Sequence, residues 1–507
     1  CARARTVCHQ PGDAGRGRSI ARAAGRSMVT LSLGLDDFIA PSLACVKPIQ
    51  IDPSKPNRVI SFEAGENEPV HEEARATAKV TLNDCLACSG CVTSAETVLV
   101  EQQSVSEFLR HVATGEAQLV VCSISPVARA ALAAHAGIGV LEAFGRLSGF
   151  FRRLGCHHVF DCGMASDLCL QQAGLEFVQR FRAHAEERRA SPLPVLSSSC
   201  PGWVCYAEKV QGAAVLPLLS RVKSPQQVAG SLLKYGFAAA QRVPPERTYH
   251  VSVMPCFDKK LEASRDDFFN PAAGAEGTRD VDCVLSSAEV AKLLEERGET
   301  LQATEAAPLD GAHASGLCAL SAPDRLTYSS PGGSGGLAAH VFRAAALELF
   351  GVAIPAAEPL QWKAGRNKDI RELSLEVGGA TVLRFAQAFG FRNIQNVVRR
   401  AKAGGSPYHY VELMACPGGC ANGGGQPRVA SKLPQDAAAR VEHIERLMVS
   451  EAEGELRPAL DNPRLAALYQ PGGLLEGGPL GERAQRYLTT QYHAVEASTQ
   501  NAMTIQW

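Results

Sequence analysis

Apolar positions change their rhythm near Gln118. Upstream, from Met28 to about His111, they are scattered among turn-formers such as Asp52-Pro53-Ser54-Lys55-Pro56, and no helical or strand period is sustained. Downstream, short β-branched runs alternate with longer stretches of helical period. Leu119-Val120-Val121-Cys122, His158 to Asp161, Val195-Leu196, His250 to Val253 and Val411 to Met414 read as strands. Val127 to His135, Leu168 to Glu187, Pro225 to Arg242 and Leu337 to Phe350 read as helices, Ala303 to Ser330 as a loop. Beyond Val429 the pattern is helical again, through Val441 to Arg446 and Glu482 to His493. Such alternation predicts an α/β core whose functional groups sit at strand ends. The expected divisions are 1–27, a non-native or disordered leader; 28–115, an N-terminal segment; 116–430, the core; and 431–507, a helical region and tail.

Composition narrows the partners. With 51 Lys+Arg against 52 Asp+Glu there is no electrostatic case for nucleic acid or an anionic membrane, and neither is expected. Residues 1–27 hold six arginines and one acid, and read as a transit peptide or as translated sequence upstream of a start at Met28. The most apolar run, Ala117 to Phe144, is broken by Pro126, Arg129 and His135 and reads as a buried strand followed by a helix. Seventeen cysteines, an odd number, argue for a reducing compartment with thiols kept for metals or as small buried hydrophobes.

The spacing of those thiols carries the chemistry. Cys85-x2-Cys88-x2-Cys91 puts three on one loop at the spacing that wraps a corner of a [4Fe-4S] cube, but Ala95 stands where the bacterial ferredoxin run has its next cysteine. Cys45 is the nearest candidate for a fourth ligand, and a structural zinc is the rival reading. A second group centres on Met414-Ala415-Cys416-Pro417-Gly418-Gly419-Cys420, followed by the glycine run Gly423-Gly424-Gly425. Two thiols cannot complete a site; Cys200 in Ser-Cys-Pro-Gly-Trp and Cys256 in Met-Pro-Cys also follow predicted strands. Singly, each would read as a core thiol. Cys156, Cys162 and Cys169 lack a tight turn between them and read as buried hydrophobes, and His157-His158 as a strand entry.

Leu119 to Gln426 resembles the catalytic domain of iron-only hydrogenases. The matching blocks are Ser125-Pro126-Val127-Ala128-Arg129 with Val159-Phe160-Asp161; Ser199-Cys200-Pro201-Gly202-Trp203 with Met254-Pro255-Cys256-x2-Lys259-Lys260; and Ser334-Gly335-Gly336 with Met414 to Pro427. The resemblance implies a core of two lobes with parallel sheets plus a small N-terminal iron-sulfur segment, and a cube held by Cys200, Cys256, Cys416 and Cys420. Lys259 matches a lysine near the hydrogenase diiron ligands. The relay cysteine reads Ser199 and the relay glutamate Gln172. Hydroxyl and amide groups do not titrate near neutral pH, so that proton path is broken twice and hydrogenase activity is not expected.

From Met28 to Trp507 the chain resembles a narrower family, the hydrogenase-like cytosolic iron-sulfur assembly proteins, also called nuclear prelamin A recognition factor-like. That resemblance implies two [4Fe-4S] clusters, one on Cys45, Cys85, Cys88 and Cys91 and one on the core quartet. It also implies a non-enzymatic link between the early scaffold and the late cytosolic targeting complex that matures cytosolic and nuclear apoproteins. The location it implies is cytoplasmic, with the nucleus as a second site. Thr504-Ile505-Gln506-Trp507 resembles a docking signal for that targeting complex, with Trp507 as the partner-binding residue. A diiron redox enzyme and a zinc-stabilised interaction protein are the alternatives.

Overall fold

The computed structural model describes residues 102–187, 191–275, 277–308, 310, 320–322, 325–326, 334–356, 358–365, 367–428, 434–450 and 463–495. Cys45, Cys85, Cys88, Cys91 and Trp507 lie outside the described residues.

In chain order the elements are α1 (Val105–Thr114), β1 (Leu119–Ile124), α2 (Pro126–Ala136), α3 (Val140–Arg153), β2 (His158–Asp161), α4 (Gly163–Glu186), β3 (Val195–Ser197), α5 (Pro201–Tyr206) and α6 (Pro225–Ser231). Next come β4 (Thr248–Met254), α7 (Asp258–Ala263), β5 (Cys283–Ser286), α8 (Ser287–Glu296), α9 (Leu337–Phe350), β6 (Lys363–Ala364), β7 (Ile370–Val377) and β8 (Ala380–Phe389). The rest are α10 (Phe391–Lys402), β9 (Tyr410–Met414), α11 (Pro434–Ser450), α12 (Pro463–Tyr469) and α13 (Glu482–Leu488).

Two sheets organise these elements. The first has the order β2-β1-β4-β5 and is parallel throughout. Helices cover a parallel sheet on both faces, so its strands can be apolar along their whole length. All residues of β1 and β4 are accordingly buried, and Phe144, Phe150 and Phe151 from α3 fill the same core. Leu465, Leu475, Ala484 and Leu488, more than 200 residues downstream of these strands, also pack into it. Phe108 of α1 is fully buried there as well.

The second sheet has the order β6-β7-β8-β9-β3, with β8, β9 and β3 parallel and the β6-β7-β8 edge antiparallel. On one face α4 and α9 bury Phe177 and Phe342 against Phe385 and Tyr410. On the other, α5 and α10 bury Trp203, Ile394 and Val398 against Ala386, Val411 and Leu413.

Three local features depart from the sequence reading. The stretch Pro225 to Arg242 is not one α-helix: a π-helical turn, Leu232–Phe237, follows α6. The helix starting at Glu482 ends at Leu488, because Thr490 N–H bonds Arg221 O at 2.8 Å and Thr489 bridges Val222. The β7–β8 hairpin was not expected. Its turn residues Gly378 and Gly379, at φ +61° and +81°, adopt the left-handed conformation that such tight turns require. Among the described residues no single helix is long and apolar enough to cross a membrane. The pair α2 and α3, bent by 98°, passes on length and composition, and its apolar residues are packed in the core.

Candidate metal centre

Three strands deliver the core cysteines. From β3 the chain runs through Ser197-Ser198-Ser199 to Cys200, and Pro201 then opens α5 with its fixed φ. Ser198 fixes this corner: its hydroxyl donates to Leu413 O on the neighbouring β9 and accepts from Cys200 N–H at 3.0 Å. From β4 the chain turns through Pro255-Cys256 into α7, and β9 feeds the turn holding Cys416 and Cys420. The first and third of these strands are neighbours in the second sheet, whereas β4 lies in the first. The four thiols therefore meet at the carboxyl ends of strands from both sheets, not in the crevice of one.

Glycine permits the approach. A Cβ on Gly423 would lie 2.4 Å from Pro255 O, and one on Gly425 would lie 2.7 Å from Ser286 Cβ and 3.0 Å from Cys256 Cα. At Gly419, with φ +79°, a Cβ would lie 2.0 Å from Ser334 Oγ. Backbone bonds lock the three loops: Gly425 N–H to Pro255 O at 3.0 Å, Ala288 N–H to Gly425 O at 2.8 Å, and Gly418 N–H to Asp369 Oδ1 at 2.9 Å.

All four thiols are free of disulfides and feel one another's charge. Burial pushes Cys200 up, with Asp258 adding to it, and pushes Cys420 up to about 12, with Cys200 adding to it. Cys256 and Cys416 are driven well above the usual thiol range by burial and then by the nearby acid and thiols. Against this, N–H groups point at sulfur: Ala415 N–H reaches Cys200 Sγ at 3.5 Å and Gly424 N–H bonds Cys416. Ser334 touches Cys420 twice, accepting from its N–H at 3.2 Å and hydrogen-bonding its sulfur. Such N–H and O–H contacts stabilise anionic sulfur, the form that binds metal.

Among the described residues, no three His, Cys, Asp or Glu side chains are arranged to hold one metal ion. A tetrahedral zinc would draw four sulfurs to about 3.8 Å from each other. The four thiols lie near enough to one another to interact electrostatically.

The hydrogenase-like positions have structural partners. Gln172 Nε2 donates to Pro479 O at 2.8 Å, and the adjacent Gln171 accepts from Tyr469 Oη at 2.6 Å. Lys259 is buried, and its ammonium donates to Glu262 Oε2 at 2.8 Å. Burial alone would lower its proton affinity, but Glu262 and the nearby thiols outweigh burial and hold it charged. Ser199 lies at the bend before Cys200, half-buried. Sequence reasoning missed Ser334 as a contact of Cys420, although the Ser-Gly-Gly turn was in view; nothing in its spacing shows that it folds over Gly419.

Cys156, Cys162 and Cys169 are buried in the core, all pushed up by burial, Cys162 to about 12. His157 accepts Val120 N–H at 2.8 Å, and His158 begins β2.

Residues 118–424 match the family described as "Iron only hydrogenase large subunit, C-terminal domain". The chain is 47% identical to the Mus musculus "Cytosolic iron-sulfur assembly component 3" over 487 residues, covering 93% of this chain and 97% of that one. It is 44% identical to the Arabidopsis thaliana "Protein NAR1", covering 92% and 97%. Among solved structures it is similar to the [FeFe]-hydrogenase HydA(deltaEFG), with a TM-score of 0.64 and 28% identity over 78% of this chain and 99% of that one. The apo [FeFe]-hydrogenase HydA1 from Chlamydomonas reinhardtii gives a TM-score of 0.64 and 27% identity over 77% and 99%.

Proposed function

The chain belongs to the family of cytosolic iron-sulfur assembly components, which sets its role in cytosolic iron-sulfur protein assembly, and from that premise we propose how it carries metal. Cys200, Cys256, Cys416 and Cys420 hold one [4Fe-4S] cluster, and Cys45, Cys85, Cys88 and Cys91 hold a second. The observation that supports this most is the meeting of four disulfide-free thiols from three remote strand ends, with backbone N–H groups aimed at their sulfurs. The relatives named for iron-sulfur assembly and the hydrogenase-like domain favour a cube over zinc.

When bound, a [4Fe-4S] cluster supplies one-electron exchange. The chain's own residues set the conditions for it. The glycines at 423 and 425 bring Pro255 and Cys256 against the loop, Ser198 fixes Cys200, and Ser334 covers Cys420. Lys259 holds positive charge beside Glu262, near the anionic sulfur the ligands must become. The relatives are named as assembly factors, and with Ser199 and Gln172 at the relay positions the proposed role is that of a carrier or adaptor, not a hydrogenase. It joins the early scaffold to the late cytosolic targeting complex, with Trp507 as a docking residue, in the cytoplasm and in the nucleus.

Anaerobic purification tests the reading. The expected result is about eight irons and eight sulfides per chain with broad absorbance near roughly 400 nm. Cys88→Ala should lose half the iron and keep the core's thermal stability, whereas Cys416→Ala should lose the other half and destabilise the core. A colourless zinc protein, or loss of both clusters in Cys88→Ala, refutes the two-site assignment. Infrared bands of CO or cyanide would establish the redox-enzyme alternative.

A further inference from the structure

Charge is unevenly spread over this nearly neutral chain. Residues 358–409 contain nine Lys and Arg against four Asp and Glu, whereas the whole chain sums to −1. Elsewhere the buried basic side chains are paired: Arg129 with Asp161, Lys223 with Asp280, Lys234 with Asp282, Lys260 with Glu289, and Arg265 with Glu208. On α10 and the adjoining end of β8 the pattern is different. Arg384, Arg392, Arg399, Arg400 and Lys402 are all exposed, and none closes an ion pair among the described residues. Arg399 meets Asn396 Oδ1 at 2.9 Å and Lys402 meets Gln211 Oε1 at 3.2 Å, both neutral acceptors. Tyr408, which feels the charge of Arg400 and Arg384, donates its hydroxyl to Glu372.

The helix itself concentrates the charge. Ile394, Val397 and Val398 bury one stripe, and Arg392, Arg399 and Lys402 share the opposite one at helical spacing, with no acid anywhere in α10. Beside it runs the π-helical turn Ala207–Gln211 that follows α5. Gln211 links the two, donating to Tyr206 Oη at 2.8 Å while accepting from Lys402. Along this seam lie Tyr206 and Phe391, edge to face at 5.4 Å, and Val210, a large apolar side chain 47% exposed. Aromatic and aliphatic groups on elements next to a run of basic residues are the composition of a binding surface, and differ from a merely solvated charged face.

Its place in the fold gives it a use. Tyr206 lies six residues after Cys200, and Gly390, which opens α10, donates to Met414 O at 2.8 Å and lies against Pro417 of the Cys416 loop. We propose that the face formed by α10 and the turn after α5 docks an acidic protein segment that places an apolar side chain on Val210 and Phe391, beside the cysteine centre. The partner's carboxylates meet Arg392, Arg399, Arg400 and Lys402, whose charge has no acidic counterpart among the described residues. The assembly role is used only to expect a protein there; the charge argument is independent of cluster content.

The probe is a fluorescein-labelled twelve-residue peptide of glutamates with a central leucine, titrated with the full chain by anisotropy. Wild type should bind it, and binding should weaken as ionic strength rises. R399E/R400E/K402E and the milder R399Q/R400Q/K402Q should each weaken binding at least tenfold with unchanged iron content and melting temperature, and R399K/R400K should retain it. Val210→Ser should weaken binding of this peptide but not of an all-glutamate one. Equal binding by wild type and the glutamine variant overturns the proposal, as does tighter binding of duplex DNA or phosphatidylserine vesicles. If iron fails to load while peptide binding persists, the metal assignment falls and the docking face stands.

Discussion

Two adjacent glycines separate the claim that loop contact builds the centre from the weaker claim that the loop is merely glycine-rich. Gly425→Ala would place a methyl carbon 2.7 Å from Ser286 Cβ, 3.0 Å from Cys256 Cα and 3.2 Å from Cys256 N. Two of these neighbours are main-chain atoms, which cannot swing away, and Ser286 is fixed by the capping box that starts α8. Relief requires the Cys256 loop to retreat from Cys420. Overpacking of this kind costs about 1–3 kcal/mol. In a chain of this size each kcal/mol lowers Tm by at most roughly 2–4 °C. A cube bound by four thiolates should suffer more than the fold, because displacing one ligand disturbs the site directly. At Gly424 a Cβ meets nothing within 4 Å, and its φ is not in the left-handed region. Gly424→Ala keeps the N–H that reaches Cys416 and should be neutral or stabilising by about 0.4–1 kcal/mol through the unfolded chain. The assay is iron and sulfide per chain after anaerobic reconstitution, with thermal unfolding alongside. If Gly425→Ala loads iron like wild type, or Gly424→Ala loses as much as Gly425→Ala, steric closure does not build the site.

Other outcomes follow from single contacts. Ser334→Ala removes a hydrogen bond to the Cys420 sulfur and should shift the cluster's reduction potential downward in an EPR-monitored titration, with Ser334→Thr restoring it; identical potentials in all three proteins would exclude this contact as a tuning device. His250 is fully buried, and burial lowers its pKa from 6.5 to about 4. It stays neutral when folded, so stability is present above about pH 6.5 and falls as pH drops toward 4, by about 3 kcal/mol in total. Tm measured across that window should fall less in His250→Gln. Arg265 makes paired bonds of 2.6 and 2.7 Å to the buried Glu208, so Arg265→Ala should cost about 3–5 kcal/mol by stranding the carboxylate, read by denaturant unfolding.

Much of the architecture was legible because parallel strands carry unbroken apolar runs. The whole of Leu119–Ile124 is buried, and the helix Leu337–Phe350 has the bounds its pattern predicts. The convergence of Cys200, Cys256 and the Cys416–Cys420 turn followed from each lying just past a strand. That the strands belong to two sheets did not, since pairing partners are set by packing between distant segments and not by local period. The Gly378-Gly379 hairpin is also written in the sequence, since Ile370–Val377 and Ala380–Phe389 alternate apolar and polar residues on either side of a two-glycine turn. The end of α13 at Leu488 was not readable: the following residues are drawn off by Arg221, more than 250 positions earlier.

The separation between Cys200 and Cys420 has a bearing on biogenesis. They stand 220 residues apart, so a ribosome moving at about 5–20 residues per second needs about ten to forty seconds to add the second after the first. During that interval the earlier thiol can find no mate from the final turn, and strand β9, which its own strand borders, does not yet exist. Metal insertion at the proposed centre would therefore have to wait until Cys420 has been made, and any product that stops short of the last turn is born without the full set of thiols there.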